Sequence, residues 1–488
     1  MTRGFITCSR ALSLLAFASI GACNDDDGEP SASSDSTAAA DLSTGDTPDA
    51  PASGPLACPA GESCTLVLVA QTLDDRVDIF AARGAGPLYR GAIDIDFKPN
   101  PMGDNSGENL DEPFGMAIDE QGLAMLVGHY PTRQSGSMLL FPHDLLAMQG
   151  EGETLAASSY FAGGVFSAGV RDLALGEEEP IFVRAHPSGR LLVGVFANDL
   201  FALESAWTNP GKLLVVDPVS GEVGTRVLDT GAMRCAGAWS VVPLDAATDT
   251  IGIGCDGDEG AVILDVSAVG EGTVAEAAAA ITGCAMGPAD VPFPDRRVRW
   301  LAPDGEGGIL LAETGQTYDP NGGKLWRFDS ACESVSPAAP LDAAIWEARE
   351  LVHVPNDAGP RWLMAVGRMD RGVHVLRDGA SGAEICNKLD DLEPYWTADD
   401  GGDIVPFALA LDRGAQGLAI GVGPSEAASD APGYGRVLWV ELDASIDPCE
   451  ASPITSVIDL TASAPAVAPE EPSTWRRAPS SLLVQQYG

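Results

Sequence analysis

Three observations predict an all-β chain whose body folds as a seven-bladed β-propeller after a signal peptide and a disordered tether. Apolar runs of five to eight residues are cut by glycine turns. Groups of three or four such runs recur about every forty to sixty residues from position 65 to 460. One further apolar run, Ser480-Ser-Leu-Leu-Val-Gln-Gln486, stands alone at the C-terminus after a Pro-rich spacer. Runs this short, bounded by Gly, Asp and Pro, read as antiparallel strands.

The clearest unit spans Asp111 to Phe141. It holds Phe114–Ile118, the turn Asp119-Glu-Gln-Gly122, Leu123–Val127, a polar loop with Gly136, and Ser137–Phe141. Upstream, Thr65–Ala70, Arg76–Phe80 and Leu88–Ile95 make a first unit, which has no inner strand before Thr65. The third unit is Ile181–Val195 with Lys212–Asp217 and Thr225–Leu228. The fourth is Trp239–Leu244, Ile251–Cys255 and Gly260–Asp265. The fifth is Val298–Ala312 with Lys324–Phe328. The sixth is Leu351–Pro355, Trp362–Val366 and Gly372–Leu376. The seventh is Phe407–Ile420, Arg436–Glu441 and Ser456–Leu460. Each unit buries its faces only against its neighbours, and a ring removes the open ends. The terminal run 480–488 is expected to close the ring by joining the first blade, because an apolar strand left at an edge invites aggregation. The polar stretches 98–112, 144–160 and 268–295 read as insertions on the faces of the ring, and Val274–Ile281 as a short Ala-rich helix.

Acidic residues outnumber basic ones 71 to 28, for a formal net charge of −43. That balance repels phosphates, which excludes nucleic acid and electrostatic docking on anionic lipid. A soluble surface is the plain reading, and divalent cations are the partners such a charge admits. A monomer is expected.

The N-terminus supplies an address. Arg3 and Arg10 precede the apolar segment Ala11–Ile20, which fits a signal-peptide core and is too short to span a bilayer. It ends in Ile20-Gly-Ala-Cys23, which resembles the lipobox of bacterial lipoproteins. The resemblance implies a diacylglyceryl group on the Cys23 thiol and cleavage before it. The domains are then a signal peptide over 1–22, a lipidated Cys23 with a flexible acidic linker over 23–57, and a propeller over 58–488. Cleavage removes Arg3 and Arg10 and no acid, so the charge moves from −43 to −45. Residues 24–55 lack the large apolar side chains needed to offset ordering entropy, and they read as a tether. Acyl chains on one cysteine anchor a protein to a leaflet without spanning it. Asn24-Asp-Asp-Asp27 follows the lipid site directly, and the choice of inner or outer membrane stays open.

Of ten cysteines, Cys8 leaves with the signal peptide and Cys23 carries lipid. Eight remain, an even count that favours disulfides in an exported protein. Neighbour pairing gives Cys58–Cys64, Cys235–Cys255, Cys284–Cys332 and Cys386–Cys449. No Cys-x-x-Cys occurs, and no histidine stands at zinc spacing from a cysteine pair.

Residues that could carry chemistry are few. Of five histidines, His186 and His353 fall at or near the ends of first strands, and Arg299 lies on another first strand. No two histidines hold matching positions in neighbouring repeats. Asp104-Asn-Ser-Gly-Glu-Asn-Leu-Asp111 offers carboxylate and amide oxygens of the kind Ca²⁺ takes, with Asp104, Asn105, Glu108 and Asp111 as ligands. Its spacing is not that of an EF-hand. No Gly-x-Ser-x-Gly elbow, P-loop or dinucleotide fingerprint stands in a supporting context. Trp300, Trp326, Trp362 and Trp439 sit within strands and read as packing between blades.

Residues 113–127, Pro-Phe-Gly-Met-Ala-Ile-Asp-Glu-Gln-Gly-Leu-Ala-Met-Leu-Val, resemble the first two strands of an NHL, YVTN or gluconolactonase-type blade. The resemblance covers most of residues 60–488 and rests on strand and turn pattern. The gluconolactonase branch implies a divalent ion in the central channel, held by a Glu, Asn and Asp set, with Asn before the blade's Gly. Here Phe114 precedes Gly115, and Glu313 and Asn198, just after second strands, stand as substitute ligands. The sequence thus points first to a non-enzymatic, lipid-anchored propeller of the cell envelope that binds a protein or glycan through its loops. The second reading is a metal-dependent, lactonase-like hydrolase with its site in the channel.

Overall fold

The computed structural model describes residues 53–487 except 59–61, 72–74, 85–86, 96–111, 129–135, 178, 198–208, 230–234, 246–248, 256–259, 271–280, 287–296, 315–322, 336–338, 342–347, 357–358, 368–369, 380–381, 398–403, 413, 425–434 and 466–478. Seven antiparallel sheets form a seven-bladed β-propeller. From the second blade onward each has four strands in chain order from the axis outward, with inner strands Glu112–Ile118, Pro180–Ala185, Ala238–Pro243, Arg297–Pro303, Ala348–Val354 and Ile404–Leu411. Each inner strand packs on those of the neighbouring blades, and the series closes on itself.

The second blade shows how the sequence sets this geometry. Between Glu112–Ile118 and Gly122–Gly128 the Asp119 carboxylate accepts hydrogen bonds from the Gln121 and Gly122 amides at 2.7 and 3.0 Å. Gly122 holds φ +149°, and a Cβ there would fall 1.9 Å from the Phe141 carbonyl oxygen, so only glycine passes. Asp304 and Asp412 cap the corresponding turns of the fifth and seventh blades in the same way.

Blade 1 is assembled from three parts of the chain. Its inner strand is the C-terminal Pro479–Tyr487, paired antiparallel with Cys64–Gln71 in a register running from Cys64 opposite Tyr487 to Gln71 opposite Pro479. Arg76–Arg83 and Tyr89–Asp94 follow outward. The closure expected from the sequence is therefore present. The fifth strand of this sheet, Thr154–Leu155, pairs parallel with Tyr89–Asp94 and comes from the second blade's long third connection. Residues 144–160 thus depart from the expected face insertion. The helix His143–Met148 buries Leu145 and Leu146, and Tyr160 donates to the Asp94 carbonyl at 2.5 Å. The apolar positions Leu145, Leu146, Leu155 and Tyr160 bind this segment to the outer edge of blade 1. Blade 2 then finishes with Arg171–Ala174, a half-exposed strand without an apolar run. The proposed helix at 274–281 lies outside the described residues, apart from Ile281, which begins a strand.

Apolar layers between blades form the core. The layer joining blades 7 and 1 contains Trp439, Val437, Ala408, Phe80, Leu482 and Val484. Trp300 and Trp362 share another layer, and the Trp362 indole donates to the Pro303 carbonyl across the seam of blades 5 and 6 at 2.9 Å. These tryptophans pack as the sequence predicts. All four disulfides follow neighbour pairing. Cys284–Cys332 and Cys386–Cys449 tie blade 4 to blade 5 and blade 6 to blade 7. Arginine–carboxylate pairs strengthen further seams, with Arg327–Asp378 at 2.7 Å joining blades 5 and 6 and Arg361–Asp447 at 2.5 Å joining blades 6 and 7. Among the described residues no helix is long and apolar enough to cross a membrane.

Candidate functional site

The inner strands carry a feature invisible in the sequence. Each has one extra residue relative to its partner strand, a β-bulge, near the same end. The extra positions are Ser480 in blade 1, Ile181, Trp239, Arg299, Arg349 and Phe407 in blades 3 to 7, and the pair Phe114-Gly115 opposite Leu126 in blade 2. Bulges re-aim side chains and concentrate at barrel rims and next to active sites. Seven at one level define a collar around the channel mouth, on the face where each blade's last strand leads into the next blade's first.

Packing within the collar explains several residues. Gly115 lies against the next blade, where a Cβ would come 2.7 Å from both Phe182 Cα and Val183 N. That close approach accounts for the glycine without a ligand. Trp239 meets Phe196 and Trp300 edge-on, at centroid distances of 5.9 and 6.4 Å. Arg349 sets its guanidinium 4.0 Å over the Phe407 ring and is only 4% exposed. A Cβ on Gly367 would fall 2.1 Å from Arg349 Nε, so this glycine also gives the guanidinium its room. Glu350, next in the chain, is buried as well.

The residues singled out in the sequence do not converge here. Glu313 sits inside the second strand Ile309–Thr314 of blade 5 rather than just after it, and it is buried. Its carboxylate accepts the Trp326 indole N–H at 2.7 Å, while its backbone faces Lys324 across the sheet. Asn198 lies outside the described residues, as do Asp104, Asn105, Glu108, Asp111 and Cys23. Among the described residues no group of three or more His, Cys, Asp or Glu side chains is placed to hold a metal ion. His186 and His353 lie near the opposite end of their strands from the collar. His186 Nδ1 accepts the Ser188 amide at 3.2 Å in a tight turn, and His353 tilts on Trp362 at 6.1 Å. Burial holds both imidazoles, and that of His374, below their usual value. They are neutral packing residues at pH 7.

A cleft of about 520 Å³ opens at the seam of blades 7 and 1, lined by Thr65, Arg83, Gln416, Glu441, Gln486 and Tyr487 among others. Its charged groups are engaged with one another. Arg83 Nε donates to both Glu441 oxygens at 2.9 and 3.0 Å, and its Nη1 reaches Asp412 Oδ2 at 2.5 Å. Its guanidinium also lies 5.2 Å over Trp439. The hydrogen bond to Glu441, with both carboxylates nearby, raises the Arg83 pKa against the opposing effect of burial. Burial pushes the Glu441 carboxyl up, but hydrogen bonds from Arg83 and Trp439 outweigh it and hold it below the usual range. We read this cleft as the outer edge of a latch across the seam.

No known protein family and no curated protein matches the sequence. Among solved structures, the chain resembles the periplasmic gluconolactonase of Pseudomonas aeruginosa at 10% identity and a TM-score of 0.45, covering 87% of this chain and 99% of that one. It resembles a hypothetical selenium-binding protein from Sulfolobus tokodaii at 10% identity and a TM-score of 0.45, covering 83% and 93%. It resembles apo AztD from Citrobacter koseri at 9% identity and a TM-score of 0.34, covering 87% and 99%. Such identities leave the site to be argued from this chain alone.

Proposed function

We propose that the chain is a lipid-anchored propeller of the cell envelope that acts as a binding module, engaging a protein or glycan through the face that carries the collar. The acyl group on Cys23 holds the ring at the membrane through the acidic segment 24–57. Four disulfides suit an oxidising, extracytoplasmic setting.

One observation carries the preference for binding over hydrolysis. The seven collar positions are Ser480, Phe114 with Gly115, Ile181, Trp239, Arg299, Arg349 and Phe407, and none is a carboxylate or an amide. A hard divalent cation needs oxygen ligands converging on the axis. The described collar side chains, Phe114, Ile181, Trp239, Arg349 and Phe407, are aromatic, aliphatic and guanidinium groups, all buried, and bring it no oxygen. Glu313, the substitute ligand named from the sequence, is occupied within its own blade by Trp326.

Elemental analysis of the purified full chain after dialysis tests this reading. The expected content is far below one calcium, zinc, magnesium or manganese per chain, with gluconolactone hydrolysis at the spontaneous rate. One equivalent of a divalent ion, lost in Glu313→Gln or Asn198→Ala together with lactone hydrolysis, would establish the lactonase-like alternative instead.

A further inference from the structure

We propose that the rim of the ring between blades 1 and 2 rests on a neutral phospholipid surface, through Met148 and the apolar hairpin Phe161–Phe166. This rests on the lipid anchor of the reading above and names the side of the ring that the membrane meets.

The first observation is where the chain enters the ring. Ser53 Oγ donates to the Ala147 carbonyl at 2.7 Å, in the helix His143–Met148. Arg90 Nη2 donates to the Gly54 and Ala57 carbonyls at 3.3 and 3.0 Å. A Cβ on Gly54 would fall 2.1 Å from the Leu146 carbonyl oxygen, and Leu56 is buried in one apolar cluster with Leu145 and Leu146. The Cys58–Cys64 disulfide then ties the segment to the strand Cys64–Gln71 of blade 1. The stretch that leads back to Cys23 therefore joins the ring at this rim. A coil of the length of residues 24–52 spans about 30 Å root-mean-square, so an acyl group on Cys23 keeps the rim near the bilayer.

The second observation is what the rim exposes. At 76%, Met148 is the most exposed large apolar side chain of the described residues, and Val165 stands at 66%. Val165 belongs to a two-residue hairpin turned by Gly163 and Gly164, whose φ values are +60° and +82°. A Cβ on either glycine would meet nothing within 4 Å, so the tip projects from the ring. Phe161 and Phe166, 4.8 Å apart, pack half-buried on the same cluster that seats Leu56, Leu145 and Leu146. The base of the tether, the helix and the hairpin thus share one apolar foundation.

The third observation is charge. Residues 154–170 hold no Asp, Glu, Lys or Arg, the longest such run in a chain with 71 acids against 28 bases. The nearby acids Glu151 and Glu153 are engaged, with Arg90 at 2.5 Å and the Gly150 amide at 3.2 Å. The contact is therefore apolar, and it suits neutral lipid better than anionic lipid. A stable protein interface buries about 800 Å² on each side, more than one methionine and a hairpin tip provide. A bilayer needs no such area, because the acyl group already supplies most of the affinity. A ring standing on this rim also keeps the collar face clear of the lipid.

The test uses the full, acylated chain in phosphatidylcholine vesicles. Val165→Cys and Met148→Cys are each labelled with the fluorophore NBD, with Val219→Cys and Val335→Cys as exposed controls on blades 3 and 5. The other cysteines of the mature chain are acylated or disulfide-bonded. The labels at 165 and 148 are expected to shift to the blue and to lose most of their emission to doxyl-labelled lipid, while the controls do neither. Adding Val165→Asp should abolish the response at 148 with Tm unchanged. Unshifted labels at both rim positions would overturn the proposal, as would equal shifts at all four positions. A shift that grows with protein concentration without vesicles would instead assign the rim to a second copy. A chain that floats with vesicles but keeps unshifted labels removes this inference alone. A chain that carries no fatty acid and does not float removes the anchor reading as well.

Discussion

Removing residues 480–488 is expected to abolish cooperative folding. These residues supply the inner strand of blade 1, which pairs along the whole of Cys64–Gln71 and touches the inner strands of blades 2 and 7. Leu482, Leu483, Val484 and Tyr487 are all nearly fully buried. At about 1.5–3 kcal/mol for each buried apolar side chain, their loss alone rivals the ~5–15 kcal/mol that holds a domain folded. The truncated ring would also expose the edge of Cys64–Gln71, a run of apolar residues with unpaired backbone. The expected outcome is an aggregated product, or a soluble one whose Tm falls by tens of degrees. A truncated chain melting within a few degrees of the parent would show that the strand does not close the ring.

Arg83→Met should produce the largest effect of any single substitution at the same seam. Arg83 belongs to blade 1, and its partners Asp412 and Glu441 belong to blade 7. The Asp412 side chain is fully buried, so removing the guanidinium leaves an uncompensated carboxylate there. Stranding one partner of a buried pair costs about 3–5 kcal/mol, and the half-exposed Glu441 side of the network puts the expected value near the lower bound. A control separates charge from packing. In the background of Asp412→Asn with Glu441→Gln, Arg83→Met should cost less than half as much. Equal costs in both backgrounds would mean that Arg83 acts through its stem and its contact with Trp439.

The sequence and the structure agree where periodicity carries the signal. Every blade is marked by apolar runs of the right length, and the lone run at 480–486 had only one place to go once blade 1 lacked an inner strand. The disulfides were legible because each closes between neighbouring strands or blades, so order along the chain matches order in space. The outer strands of blades 2, 4, 5 and 6 were not legible, since Arg171–Ala174, Ile281–Ala285, Ala339–Pro340 and Gly382–Lys388 lack a long apolar run, and Ile281–Ala285 falls inside the stretch 268–295 read as an insertion. Nor was the return of residues 143–162 onto blade 1, whose apolar positions are spaced for a short helix and two-residue strands.

The collar escaped for a different reason. A bulge is defined by pairing between two strands, and one extra residue leaves no mark in either strand read singly. Arg299 could be placed on a first strand, but its equivalence to Arg349, Trp239 and Phe407 depends on register. Arg83 was missed because its partners lie more than three hundred residues away. Glu313 illustrates the converse. An acid at a strand end reads as a ligand until Trp326, two residues along the neighbouring strand from the position that faces it, is seen to hold it.

The proposed function requires a lipid on Cys23 that holds the ring at a membrane. Cys23→Ser tests that placement most directly. The account predicts that the parent chain, expressed with its signal segment in a bacterium, incorporates labelled fatty acid and partitions into detergent. It predicts that the variant takes up no label and stays in the aqueous phase with an unchanged Tm. A variant that still partitions into detergent, or a parent chain that carries no label, would contradict it.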